Sequence, residues 1–116
     1  MVLEQRMVNE IAVLDLSGKL ALGDGDGLLK DKVQSLVFQG IKQIALNLGQ
    51  LSYMDSAGLG ELVSVHSTVT RGGGQIKVFG LTKRVTDLLS ITKVLTVFDV
   101  HESEQEALAS FPAPSA

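Results

Sequence analysis

The chain has 116 residues, 45% hydrophobic, 20% charged and 4% aromatic, with a formal net charge of −3. That is the balance of one globular domain with an aliphatic core, too short for two domains and too apolar for disorder. With no basic run and little aromatic surface, nucleic acid is excluded as a partner; with no cysteine, so are disulfides, Cys–zinc sites and thiol catalysis.

In chain order, Val2 to Val8 and Ile11 to Leu16 read as two strands joined at Asn9-Glu10, an antiparallel hairpin. Glu4, Gln5 and Arg6 suit an exposed edge in the first strand. The second is apolar on both faces apart from Asp15, as expected inside a sheet, and Gly18 closes it. After the turn Gly23-Asp-Gly-Asp-Gly27, residues Leu29, Val33, Leu36 and Val37 mark one face of a helix. Asp24 or Asp26 is its expected N-cap and Gly40 its stop. Ile41 to Leu48 reads as a buried strand and Gly49 to Asp55 as a loop. A helix is predicted from Ser56 to Arg71, with the stripe Leu59, Leu62, Val63, His66 and Val69, ended by Gly72-Gly-Gly74. Ile76 to Phe79 is a strand. Thr82 caps a third helix facing inward through Val85, Leu88 and Leu89, and Leu95 to Phe98 is a last short strand. Ser103 and Glu106 form a capping box ahead of a helix carrying Ala107, Leu108 and Phe111, broken by Pro112 and Pro114.

The order β β α β α β α β α predicts an α/β fold. It consists of a small mixed sheet of about five strands with an N-terminal hairpin, and about four helices mainly on one face. One domain is expected over residues 1–111, with a frayed tail over 112–116. The charged N-terminus lacks the apolar run of a signal peptide, and no stretch approaches the ~18 apolar residues of a membrane span. The expected compartment is the cytoplasm, without a membrane partner.

Several segments invite a chemical reading. Asp24-Gly-Asp-Gly27 lacks the alternating carboxylates and distal Glu of a calcium loop and reads as a turn. Gly72-Gly-Gly74 follows a helix, whereas phosphate-binding glycines precede one. His66 lies on an apolar stripe with no nucleophile placed beside it, so it reads as a core-edge residue. His66 and His101 are too far apart in the chain to suggest a metal site. Leu51-Ser-Tyr-Met-Asp-Ser-Ala-Gly-Leu-Gly60 is different. Asp55 can serve as an N-cap, but a cap does not require Gly58 and Gly60 in the first turns of a helix, where each costs up to ~1 kcal/mol relative to Ala. Those glycines suggest a close approach to the backbone, a partner protein being one candidate. Ser56 then presents its hydroxyl at the open end of the helix.

At these residues the sequence resembles the STAS domain family, the bacterial anti-sigma factor antagonists, whose hallmark D-S-S/A-G-L/I-G stands here as Asp55-Ser-Ala-Gly-Leu-Gly60. The resemblance extends to Leu16-Ser-Gly-Lys-Leu20, to Gly72-Gly-Gly74 and to the run from Leu81 to Phe98. It implies that Ser56 is phosphorylated by an anti-sigma factor that is itself a serine kinase. The unphosphorylated protein would hold that kinase, the phosphorylated form would let go, and a serine phosphatase would reset the cycle. The implied partner-binding residues are Ala21, Asp24, Asp26, Asp55, Ser56, Ala57, Gly58 and Gly60. Ala21 stands where many antagonists carry Asp, and Asp24 and Asp26 follow a few residues on. ATP and Mg²⁺ would belong to the kinase. For this chain the expectation is no cofactor, no metal and no enzymatic activity, as a monomer or weak homodimer. The competing readings are a STAS scaffold subunit of a signalling complex and a small phosphate- or nucleotide-binding module. No P-loop or dinucleotide fingerprint supports the latter.

Overall fold

The computed structural model describes residues 1–23 and 27–112. Strands β1 (Val2–Val8) and β2 (Ile11–Leu20) form the hairpin. They are followed by α1 (Leu28–Phe38), β3 (Gln43–Met54), α2 (Ser56–Arg71), β4 (Gln75–Phe79), α3 (Lys83–Ile91), β5 (Asp99–His101) and α4 (Glu104–Ala109). The five strands lie side by side in chain order, β1 antiparallel to β2 and every later pair parallel. This is the mixed α/β architecture expected from the alternation of strands and helices.

Alternation along each strand divides the core in two, because successive side chains point to opposite faces. Ala12, Leu14 and Leu16 of β2, Ile44, Leu46 and Leu48 of β3, and Ile76 and Val78 of β4 share one core with α1, α2 and α3. Ile11, Val13, Ala45 and Phe79 share the other with Ala107 and Phe111. Three helices therefore cover one face, and α4 covers part of the reverse. α4 is tied down by charge as well. Arg6 on the edge strand β1 bonds Asp15 of β2 at 2.6 Å and Glu104 of α4 at 2.5 Å. On the same face of the sheet, Lys77 of β4 is the one polar or charged residue buried among those described. Its ammonium pairs with Asp99 of β5 and lies 5.1 Å from the Phe111 ring centroid.

Five local expectations need correction. β2 does not close at Gly18, and Gly49 to Asp55 is not a loop: two register shifts carry the ladder onward, pairing Ser17 with Gln50, Gly18 with Leu51, Lys19 with Tyr53 and Leu20 with Met54. The last strand is not Leu95 to Phe98. Those residues form a turn, and Phe98 is buried edge-on against His66, with ring centroids 5.3 Å apart, so the pairing with β4 starts at Asp99. On α2, Val65 faces the core and Val63 does not. Phe111 packs inside but lies beyond the end of α4. The caps at Thr82 and Ser103 are as read, each side chain accepting the amide three residues on. Apart from Pro112, the expected tail lies outside the described residues.

Candidate functional site

The site forms where the long strands β2 and β3 end together. The peptide after Met54 turns directly into α2, and the Asp55 N–H donates to the Leu20 carbonyl at 3.3 Å. Asp55 is the N-cap of α2, in extended conformation. Its Oδ1 accepts the Gly58 N–H at 2.8 Å and its Oδ2 the Leu22 N–H at 3.0 Å. One carboxylate thus caps the helix and pins the start of the β2–α1 connection. The two amides, Gly58's first, hold its pKa below the usual carboxylate range by stabilising the ionised form.

Ser56 is the first residue of α2 and is exposed, and its hydroxyl meets no hydrogen-bond partner among the described residues. Ala57 beside it is exposed as well. The two glycines have opposite roles. Gly58 is buried, and a Cβ there would lie 1.8 Å from the Leu20 carbonyl oxygen. The close approach that its position suggested is made by this chain's own β2, which removes Gly58 from the outer surface. Gly60 is exposed, with nothing within 4 Å of an added Cβ. Being four residues on from Ser56, it shares that face of the helix, so no side chain overhangs the hydroxyl from there.

Ala21 is half-buried between Leu20 and Leu22 and adjoins this surface. Asp24 and Asp26 lie outside the described residues. The expectation that one of them caps α1 is corrected: the N-cap is Gly27, at φ +80° with no side chain to offer. That need is met by a residue that sequence reasoning missed. Glu61, on α2, accepts the Lys30 N–H at 3.0 Å and the Gly27 N–H at 3.4 Å. Leu22, 73% exposed, was missed too. An acidic residue in the second turn of a helix and a leucine in a glycine-rich turn carry no signal of their own.

Among the described residues, the arrangement is an exposed surface of small residues around one hydroxyl. An open groove of about 610 Å³ lies elsewhere, lined by Met7, Glu10, Ile41, Lys42 and Pro112 among others, at the starts of β2 and β3. Among the described residues, no group of three or more His, Asp or Glu side chains could hold a metal ion, and no helix is long and apolar enough to cross a membrane.

The STAS domain model matches residues 3–107. The chain belongs to the STAS domain family. Of its relatives, the anti-sigma-B factor antagonist of Bacillus subtilis (strain 168) is 34% identical over 73 residues, 63% of this chain and 66% of that protein. The anti-sigma F factor antagonist of Paenibacillus polymyxa is 24% identical over 105 residues, 90% of each chain. Among solved structures, the phosphorylated form of the Bacillus cell fate determinant SpoIIAA superposes with a TM-score of 0.72 at 22% identity, covering 93% of this STAS chain and 97% of that one. Its unphosphorylated form gives 0.71 at the same identity, covering 93% and 94%. At that identity the likeness establishes the fold.

Proposed function

We propose that this STAS protein is an anti-sigma factor antagonist acting in the cytoplasm, a binding protein and not an enzyme, switched by phosphorylation of Ser56. The supporting observation is the exposed hydroxyl on the first turn of α2, without a partner among the described residues, in a surface of small residues. Unphosphorylated, that surface docks on an anti-sigma factor with serine kinase activity and so frees the sigma factor. Phosphorylated, it is released until a serine phosphatase restores it. The similarity to proteins named as anti-sigma factor antagonists supports this partner.

The switch works by charge. A phosphoserine adds about −1.5 to −2 charges and three strong acceptors. The helix N-terminus favours an anion by ~0.3–2 kcal/mol, and the ionised Asp55 next to it opposes one, so the fold changes little. A docked interface responds differently. Burying an unpaired dianion there costs several kcal/mol, and ~3 kcal/mol already weakens binding more than a hundredfold. The test is incubation with the cognate kinase and ATP, followed by intact mass and a binding measurement. One added phosphate is expected, lost in Ser56→Ala. Ser56→Ala should stay bound in the presence of ATP, and Ser56→Asp should bind at least about a hundredfold more weakly with its melting temperature nearly unchanged. A Ser56→Asp protein that binds the kinase like the wild type would refute the switch.

A further inference from the structure

α1 begins without a cap of its own. Its N-cap is Gly27, and no side-chain cap hydrogen bond comes from that residue. Among the N–H groups that a helix start leaves open, those of Gly27 and Lys30 are the pair that a local capping box would satisfy. Both are taken by Glu61, which belongs to α2. The other end of the same connection, at Leu22, is taken by Asp55, the residue before Ser56. Two carboxylates of one helix, one preceding Ser56 and one beyond it, therefore fix both ends of the β2–α1 connection. The anchored ends also carry the exposed leucines near the site: Leu22, at 73% exposure, and Leu28, at 41%, which lies in the chain between the two amides that Glu61 holds.

We infer that Glu61 is a positioning residue of the docking surface, holding the first turn of α1 and Leu28 in register with Ser56 so that a partner protein meets the two helix starts as one rigid face. This rests on the reading of α2's first turn as the docking point, and it assigns Glu61 no contact with the partner. Glu61→Gln keeps size and helix propensity but replaces one acceptor oxygen with a donor, so it cannot serve both amides.

The first measurement uses the free protein. In ¹H–¹⁵N spectra read for amide hydrogen exchange, the Gly27 and Lys30 amides should be protected in the wild type, and at least one of them should exchange faster in Glu61→Gln. Leu22 and Gly58, which report on Asp55, should be unaffected. Gly27 and Lys30 amides that exchange identically in wild type and variant overturn the inference. The second measurement is affinity for the kinase that phosphorylates Ser56. Glu61→Gln should weaken it about tenfold. The control is Glu106→Gln, the same change of a carboxylate to an amide on α4, where the side chain accepts only one amide, the Glu102 N–H, and it should leave affinity within about twofold. Equal losses in the two variants mean that Glu61 is an ordinary structural cap, and overturn the proposal. If no kinase binds even the wild type, the antagonist reading falls, and the amide exchange alone decides whether Glu61 holds α1.

Discussion

At the scale of single residues, the site turns on two glycines with opposite surroundings. Gly58 lets α2 start against the Leu20 carbonyl, with a Cβ position only 1.8 Å from that oxygen. Since the obstructing atom is backbone, Gly58→Ala has to move either the helix or the strand end. It should cost about 1–3 kcal/mol by overpacking, read as a lower denaturation midpoint with an unchanged m-value. Gly60→Ala meets open space and should gain up to ~1 kcal/mol from helix propensity, while Gly60→Gln should impede docking without destabilising the fold. If Gly60→Gln binds the kinase as the wild type does, the partner does not cover that face of α2. Both glycines were legible in the sequence as costly in a helix and therefore purposeful. Which one faced in was not, because that depends on where β2 ends. The apolar pattern was read as stopping at Gly18, two residues short of the strand's end.

At the scale of elements, the three-residue β5 shows what pattern reading could and could not reach. The sequence placed a strand over Leu95 to Phe98 because those residues are mostly apolar. The structure places it over Asp99–His101, where the alternation is charged. The deciding residue is Lys77, an internal cation in β4 that needs an anion from its neighbour strand and finds Asp99. Such a pairing between distant segments leaves no periodicity to detect. Local signals fared better: the extent of α2 and the caps at Thr82 and Ser103 were legible from short motifs. The Lys77–Asp99 pair makes a prediction at this scale. Asp99→Ala leaves a buried ammonium without its carboxylate and should destabilise the protein by about 1–3 kcal/mol. Adding Lys77→Met should recover much of that loss, because an apolar side chain replaces a buried ion at little cost. A double variant as unstable as Asp99→Ala in a denaturation cycle means that the pair does not secure β5.

At the scale of the whole molecule, three carboxylates among the described residues, in separate places, ionise more readily than usual. Asp15 does so chiefly because of the Arg6 guanidinium, Asp55 because of the Gly58 and Leu22 amides, and Asp99 chiefly because of the Lys77 ammonium. A carboxyl whose pKa is lower in the folded than in the unfolded chain adds stability that is complete above the ordinary range near pH 4. That stability is lost as the pH falls through the folded value. The melting temperature should therefore be nearly level from about pH 5 upward and fall steeply below about pH 4, and Asp15→Asn should flatten the acid limb. A profile for Asp15→Asn parallel to the wild type's would show that the Arg6–Asp15–Glu104 contact does not link folding to pH.

The joined ends of β2 and β3 have one more consequence. Ser56 is one covalent step from a residue bonded to both the sheet end and the helix it starts, so a group attached to it has nothing soft to push against. Under the proposed cycle the two chemical forms share one shape and differ in charge. Such a signal has no refolding delay: it is written as fast as the kinase works and erased as fast as the phosphatase does. A reader that senses shape at a distance would learn nothing from it, and only a protein that touches this spot can tell the two forms apart.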